Sequence, residues 1–235
     1  MKPAHLGLLF LLAGLVGCVT RSDDSSPPAV DKVPMQKADL KNVEDELYRQ
    51  GLAGFRRIRD GHPKDTFYCF AFYTNGEFNY VALTASTLEG LDKVAQDYKK
   101  KPPYKAMSIE DLRLDLKWSP CDSPLHGAAE DVLTVLDPLM QAVSAELDRR
   151  FDLNDEGKSF DEFVAQVRAC FANALKRIDA EGVFGRGEDR RKVVVNLLMG
   201  DQSDEDRIGF AERVNPAASA KMLKEDLKAA SRLRR

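Results

Sequence analysis

Three aspartates near the end of the chain, Asp201, Asp204 and Asp206, form the densest acidic cluster of its folded part. They follow residues 193–199, whose β-branched and apolar side chains predict a strand. Sites often lie at the carboxyl ends of strands, and carboxylates there can bind a divalent cation. The same residues also suit a helix start, with Ser203 as N-cap and acids favoured by the helix dipole. The cluster is therefore a candidate metal or interaction site, with helix capping as the favoured alternative.

Acid-base chemistry would depend on His126, because the chain has only three histidines. Ser119, Asp122 and Ser123 lie shortly before it, so a Ser–His–Asp arrangement is conceivable there. The chain has no G-x-S-x-G elbow, however, and proximity in sequence is a poor guide to such triads. A hydrolase centred on His126 is therefore disfavoured, and the scarcity of histidine also disfavours a histidine-rich zinc site.

Residues 152–163 resemble an EF-hand calcium loop in having oxygen-bearing side chains at positions one, three and five and a glycine at six. The acidic Glu162 falls one position too early to close such a loop. A turn between two helices, with Ser159 and Glu162 as a capping box, is the favoured interpretation.

The cysteines also allow more than one interpretation. Cys69, Cys121 and Cys170 follow Cys18, and no C-x-x-C pair supports a redox or zinc motif. Cys69 lies in an apolar run and Cys170 on a helix face, so we expect buried free thiols there. An oxidising compartment would permit one disulfide with three alternative pairings, and spacing does not choose among them.

The spacing of apolar residues predicts the elements that must position these groups. Helices are predicted over 39–60, from the Ser86–Glu89 capping box to about Lys100, and over 127–149, 160–180, 204–213 and 217–231; strands are predicted over 67–73, 77–83, 112–118 and 193–199. Asn75 and Gly76 predict a hairpin turn, and Pro138 should interrupt its helix. A helix over 108–118 remains the alternative to the strand there. The last helix is strongly basic, which fits a solvated face or an anionic contact.

This order predicts one α+β domain, with an antiparallel or mixed sheet of about four strands and helices packed on it. The 235 residues are 43% hydrophobic, which suffices for a core and excludes wholesale disorder. The net charge of −3 gives no support for binding nucleic acid. Apolar runs stay shorter than the roughly 20 residues of a spanning helix, which excludes a polytopic membrane protein.

The amino-terminal residues resemble a targeting signal. Residues 6–17 form a short apolar stretch after Lys2, and Leu15-Val16-Gly17-Cys18 resembles the bacterial lipobox. The resemblance implies a signal peptide over 1–17, cleavage before Cys18 and acylation of that residue. Val19, rather than Asp, implies the outer membrane facing the periplasm in a Gram-negative host. Residues 18–37, rich in Pro and Ser, then predict a flexible tether, and 38–235 the folded domain.

Several strings in the folded part together resemble the bacterial DUF4303 family, whose activity is uncharacterised. They are FYCFAFYTNGEF, TASTLEGL, LKWSPCDSPLHG, ALKRIDAEGVFGRG, VVVNLLMGDQSDED and ERVNP. The resemblance spans roughly residues 38–220 and implies a single α/β-type domain, while residues 121–124 depart from the family pattern. It supplies no catalytic residue, but related domains near toxin systems give a prior toward protein binding.

We therefore hypothesise a lipid-anchored envelope protein that works as a non-catalytic, immunity-like binding module. Its expected partners are the bilayer, through acylated Cys18, and a toxin or envelope protein. We expect no cofactor and no resident metal. The alternative is a metal-assisted or hydrolytic envelope enzyme built around Asp201, Asp204 and His126.

Overall fold

A computed structural model describes residues 38–153 and 155–233, and all of these belong to one compact unit. The expected signal peptide, acylated Cys18 and tether lie outside the described residues. The strands are β1 (Phe67–Thr74), β2 (Ala82–Thr87) and β3 (Val194–Met199); the helices are α1 (Leu40–Gly61), α2 (Leu88–Lys99), α3 (Ile109–Leu116), α4 (Asp137–Phe151), α5 (Lys158–Ala180), α6 (Gly187–Arg190), α7 (Asp204–Val214) and α8 (Ala217–Leu233). The predicted α+β class is confirmed. None of the described helices combines the length and apolar character needed to cross a membrane.

The described sheet is mixed, with β1 at its centre in the order β2-β1-β3. β1 runs antiparallel to β2, with Phe70 opposite Ala85, and parallel to β3, with Ala71 opposite Asn196. Helices cover both faces, which is why β1 reads as an unbroken apolar run. A register shift near Cys69 places Tyr68 and Cys69 in the same cluster.

One face packs on α1, α4 and α5, and the other on α2, α3 and α8. Phe55 of α1 lies at the centre of the first face, with its ring 5.6 Å from that of Phe70 and 5.4 Å from that of Phe184. Helix α1 can approach the sheet closely because Gly51 and Gly54 have no Cβ. A Cβ at either position would overlap Phe72 or Leu83. The 3–4 residue spacing that predicted α1 therefore reflects a buried stripe.

The predicted strand over 112–118 is wrong, because these residues belong largely to α3. Ser108 caps the helix by accepting a hydrogen bond from the Asp111 N–H at 3.0 Å. Leu112 and Leu116, four residues apart, are buried on one helix face, whereas Leu114 is only half-buried. The alternation of leucines satisfies a helix as well as a strand, and the alternative over 108–118 is the one found.

Two predicted boundaries near the hairpin also shift. Strand β2 begins at Ala82 rather than residue 77, because Asn75 accepts a hydrogen bond from the Asn79 N–H at 3.2 Å and extends the turn. Thr87, rather than Ser86, caps α2 by accepting from the Gly90 N–H at 3.0 Å. Glu89 bonds Thr66 instead of closing a capping box.

Helices α4 and α5 also begin differently from the prediction. Helix α4 starts only at Asp137, with Pro138 in its first turn, where a missing N–H costs nothing. Helix α5 starts at Lys158 with Gly157 as its N-cap, and the Ser159 N–H donates to Asp155 at 3.0 Å instead of a Ser159–Glu162 box forming. The helix–helix turn favoured for this segment is nevertheless confirmed.

Neighbouring segments form hydrogen bonds with backbone groups at the two outer edges of the described sheet. Asn215 acts in place of a fourth strand: its Oδ1 accepts from the Val195 N–H at 2.8 Å, and its Nδ2 donates to the Val195 carbonyl at 2.7 Å. At the other edge the Gly127 N–H donates to the Leu83 carbonyl at 2.9 Å. These contacts occupy backbone groups of Val195 and Leu83 that a further strand would pair with, which favours a sheet that ends there.

The end of α4 carries an acid-sensitive ion cluster. Glu146, whose side chain is 9% exposed, accepts hydrogen bonds from Arg149 at 2.6 Å and Arg150 at 2.7 Å. Hydrogen bonding to Arg149, assisted by Arg150, outweighs burial and lowers the pKa of Glu146 from 4.5 to about 2. The stabilisation is therefore present above pH 4.5 and is lost as the pH falls toward 2.

Glu146→Gln is expected to lower the free energy of unfolding at neutral pH by up to about 3 kcal/mol. The loss should shrink as the pH falls toward about 2, because the wild-type carboxylate is then protonated too. Urea titrations across this range measure it. Glu188→Gln, at a 76% exposed partner of Arg191, is the control and should follow the wild-type pH dependence. Equal losses at neutral and acid pH would contradict the assignment.

Candidate functional site

Parallel pairing brings the carboxyl ends of β1 and β3 to one edge of the sheet, where ligands often bind in α/β proteins. A cavity of about 190 Å³ opens beside this edge, between α3, α8 and the start of α7. Its walls include Leu114, Ser119, Cys121, Gly200, Arg207 and Leu227, and we call it the carboxyl-edge pocket.

Tyr73, at the end of β1, connects Cys121 and His126. A hydrogen bond to Cys121 raises the pKa of the Tyr73 hydroxyl, so the phenol keeps its proton. The His126 ring meets the Tyr73 ring edge-on, with centroids 4.8 Å apart. Burial lowers the pKa of His126 against the opposing charge of Glu130, and its Nδ1 is buried without a hydrogen-bond partner. The edge thus presents a thiol, a phenol and a neutral imidazole.

The segment that carries Cys121 and His126 is fixed along β2 by hydrogen bonds. Asp122 accepts from the Ser119 hydroxyl at 2.6 Å and from the Tyr98 hydroxyl at 2.5 Å. The Ser123 hydroxyl donates to the Ala85 carbonyl at 2.5 Å. Both serines and Asp122 are engaged elsewhere than at the histidine ring. The structure does not assemble the disfavoured Ser–His–Asp triad.

The acidic cluster begins α7. Ser203 caps this helix, accepting from the Asp206 N–H at 3.1 Å, as the capping alternative predicted. The Asp206 carboxylate lies 3.5 Å from Arg168 of α5, whereas His126 contacts Tyr73. Within the described part of the chain, no three His, Cys, Asp or Glu side chains group as a metal site requires. A binding role for Asp201, Asp204 and Asp206 stays a prediction.

The three cysteines in the described part of the chain are free thiols, and only Cys121 is exposed. Burial raises the pKa of Cys69 to about 12 and that of Cys170 to about 11. The expectation of buried free thiols is confirmed at Cys69 and Cys170. Cys121 is therefore the reactive candidate among them.

Sequence reasoning missed Arg207, in the first turns of α7. Its Nε is buried without a hydrogen-bond partner, although the residue as a whole is only half-buried. The only sequence signal was a basic side chain directly after an acidic run.

Sequence reasoning also missed a larger cleft at the opposite, amino-terminal edge of β1 and β3, with a volume of about 530 Å³. Phe67, Phe70 and Phe184 line its apolar floor, and we call it the amino-edge cleft. The Phe67 and Phe70 rings stack at 4.8 Å, and the Phe70 and Phe184 rings lie 5.2 Å apart.

Charged side chains of both signs surround that floor: Arg59, Asp60, Asp65, Asp189 and Lys192. Asp189 and Lys192 are 84% and 73% exposed, and their charged atoms are 3.5 Å apart. His62 Nδ1 lies 3.2 Å from Asp65 Oδ2. The cleft thus has an aromatic floor within a mixed, solvated rim.

In a comparison with known families, the sequence profile of a domain of unknown function, DUF4303, matches residues 47–216. The matched span holds all three described strands, the residues that line the amino-edge cleft and most of those that line the carboxyl-edge pocket. No curated protein and no solved structure matches the chain. On that span, and in agreement with the strings noted in the sequence, the chain belongs to the DUF4303 family.

Proposed function

We propose that this chain is a lipid-anchored binding module of the bacterial envelope, and that its amino-edge cleft receives a protein partner. The observation that carries the proposal is the aromatic floor inside a charged rim. Protein interfaces have this anatomy, with an apolar centre and a polar, solvated periphery.

The floor would supply the binding energy. Aromatic side chains in a pocket form the centre of interaction hot spots, and Phe67 is only partly buried at present. A partner's apolar side chain would be seated against Phe67, whose ring stacks on the buried Phe70, which in turn packs on Phe184.

The rim would supply selectivity. Both positive and negative groups border the floor, so a partner must present a complementary pattern, and wrong pairs of like charge are penalised. The envelope address from Cys18 supports a partner met at the membrane. A toxin delivered there, or an envelope protein, fits the immunity-like role.

Purification of tagged full-length protein from detergent-solubilised envelopes tests the proposal. We expect a specific partner, retained at least about fivefold less by the variant combining Asp60→Arg with Lys192→Glu. Phe67→Ala should reduce retention by about tenfold or more.

Glu225→Arg, on an exposed α8 residue paired with Lys221 at 3.7 Å, is the matched charge-reversal control and should retain the partner. Thermal unfolding confirms that each variant is folded. No specific partner under several conditions, or equal retention by all variants, would overturn the proposal.

A second candidate is an enzyme at the opposite edge, favoured by the neutral, half-buried His126 with an unpartnered Nδ1. Metal-assisted or hydrolytic chemistry there would involve Asp201 and Asp204. Calorimetry with calcium, magnesium, manganese and zinc separates the two, because a binding module should give no site-specific heat. Heat lost in His126→Ala would favour the enzyme.

A further inference from the structure

Helix α8 presents a row of basic side chains to solvent. Lys221, Lys224, Lys228 and Arg232 recur every three or four residues, which places them on one side of the helix, and all four are exposed. The apolar side chains of α8 lie on another side and pack with those of α3 and β3. We call the four exposed side chains the basic stripe. The fold does not use them for packing.

The basic stripe is positive although the chain as a whole carries a net charge of −3. Two exposed carboxylates lie beside it: Glu225 is 3.7 Å from Lys221, and Glu212 lines a shallow hollow together with Lys221. The other carboxylate of α8, that of Asp226, is paired with Lys117 at 2.7 Å. Four cations against two carboxylates leave two net positive charges along about three helical turns.

An anionic lipid surface fits the stripe better than a specific protein partner does. Three of the four side chains are lysines, whose compact charge lacks the planar fork by which arginine recognises one carboxylate. Lysine is depleted in protein interfaces, and the sequence of α8 contains no aromatic residue that could anchor one. Anionic headgroups attract basic residues without requiring a fixed geometry.

We propose that the basic stripe rests on anionic headgroups of the bilayer that holds acylated Cys18. This inference rests on the lipid anchor of the proposed function, because residues 18–37 cannot span more than about 70 Å even when fully extended. Two net charges give roughly a thirtyfold preference for anionic over neutral lipid. That preference is weak for a free protein but sufficient for a tethered one, whose effective concentration at the surface is high.

Contact through α8 would also place the amino-edge cleft near the bilayer. The Ser219 hydroxyl, in the first turn of α8, donates to the Arg191 carbonyl at 2.9 Å. Asp189 and Lys192 of the cleft rim belong to that same segment of the chain. The cleft would then open close to the headgroups, where a membrane-delivered partner is met.

Reconstitution of the acylated full-length protein tests the anchor and the stripe separately. Flotation with phosphatidylcholine vesicles reports the anchor alone, because this lipid has no net charge. Acetylation with neutral acetic anhydride, followed by peptide mapping, then reports the access to each lysine. Lys221, Lys224 and Lys228 should react severalfold more slowly when about a third of the lipid is phosphatidylglycerol. Salt at about 1 M, which shortens the screening length to about 3 Å, should remove the difference.

Charge reversal on the stripe gives the decisive variant. Lys224→Glu combined with Lys228→Glu should abolish the protection of Lys221 in phosphatidylglycerol vesicles and leave flotation unchanged. Lys41→Glu combined with Lys100→Glu is the matched control, because these lysines are 73% and 75% exposed and lie outside α8. In that control Lys221 should stay protected. Urea midpoints establish that both variants are folded.

Each failure has its own signature. Equal reactivity of the stripe lysines in both lipids, with normal flotation, overturns the proposal and leaves the anchor intact. Loss of flotation with phosphatidylcholine vesicles overturns the anchor, and the proposal with it. Protection of the stripe in native envelopes but not in phosphatidylglycerol vesicles overturns the lipid assignment in favour of an acidic protein.

Discussion

Arg190→Ala is expected to lower the free energy of unfolding by about 3–5 kcal/mol, the usual cost of removing one partner of a buried ion pair. The Arg190 side chain is 8% exposed, and its Nε donates to Asp179 at 2.7 Å. Its Nη1 donates to the Val193 carbonyl at 2.7 Å, and its Nη2 to Asn215 Oδ1 at 3.2 Å. Truncation would leave Asp179 without its ion-pair partner and free a buried carbonyl.

Urea unfolding at neutral pH measures the loss, and the next residue provides the control. Arg191 is 59% exposed and pairs with Glu188 at 2.6 Å, so Arg191→Ala should cost less than about 1 kcal/mol. Similar costs for the two substitutions would show that the Arg190 contacts do not hold the fold together.

The network around Arg190 gives a structural meaning to two of the strings that carry the family resemblance. Asp179 belongs to ALKRIDAEGVFGRG and Asn215 to ERVNP, and both bond Arg190. Asn215 in turn closes the edge of β3 at Val195. These strings therefore maintain the end of the sheet, and their presence is not by itself a sign of catalysis.

Most of the fold could be predicted because its signals are local. The apolar stripe of α1 and the continuous run of β1 each reflect burial within one element. The strand predicted over 112–118 failed because leucines at every second position also place Leu112 and Leu116 on one helical face. The Ser108 cap, a local signal, was available to decide between the two.

Much less of the candidate sites could be predicted, because they depend on pairing between distant segments. The carboxyl end of β3 was singled out, together with His126, but not the position of Cys121 beside Tyr73. Phe67 and Phe184 line the amino-edge cleft together, but nothing in the sequence of either segment indicates that the two lie close to each other. The parallel pairing of β1 with β3, and the packing of Phe184 on Phe70, bring the two segments of the cleft together.

The other large effect is expected from Cys18→Ser, which should move the protein almost entirely from the membrane fraction to the soluble fraction. The lipobox-like Leu15-Val16-Gly17-Cys18 motivates this prediction. Each buried CH₂ of an acyl chain contributes about 0.8 kcal/mol, so two or three chains hold a protein firmly at a bilayer. The described helices offer no apolar span that could replace such an anchor.

Fractionation of cells expressing the full chain measures this effect, and mass spectrometry of the amino-terminal peptide tests acylation directly. Cys121→Ser is the matched control, because it removes an exposed thiol and should leave the protein in the membrane fraction. If Cys18→Ser stays in the membrane fraction, or the peptide carries no acyl chain, the anchor assignment is wrong.

Val19→Asp refines the test in a Gram-negative host, since an aspartate after the acylated cysteine should then shift the protein to the inner membrane. Because residues 18 and 19 precede the folded domain, neither Cys18→Ser nor Val19→Asp should change the urea midpoint. A change in membrane location would then be separate from any change in the fold.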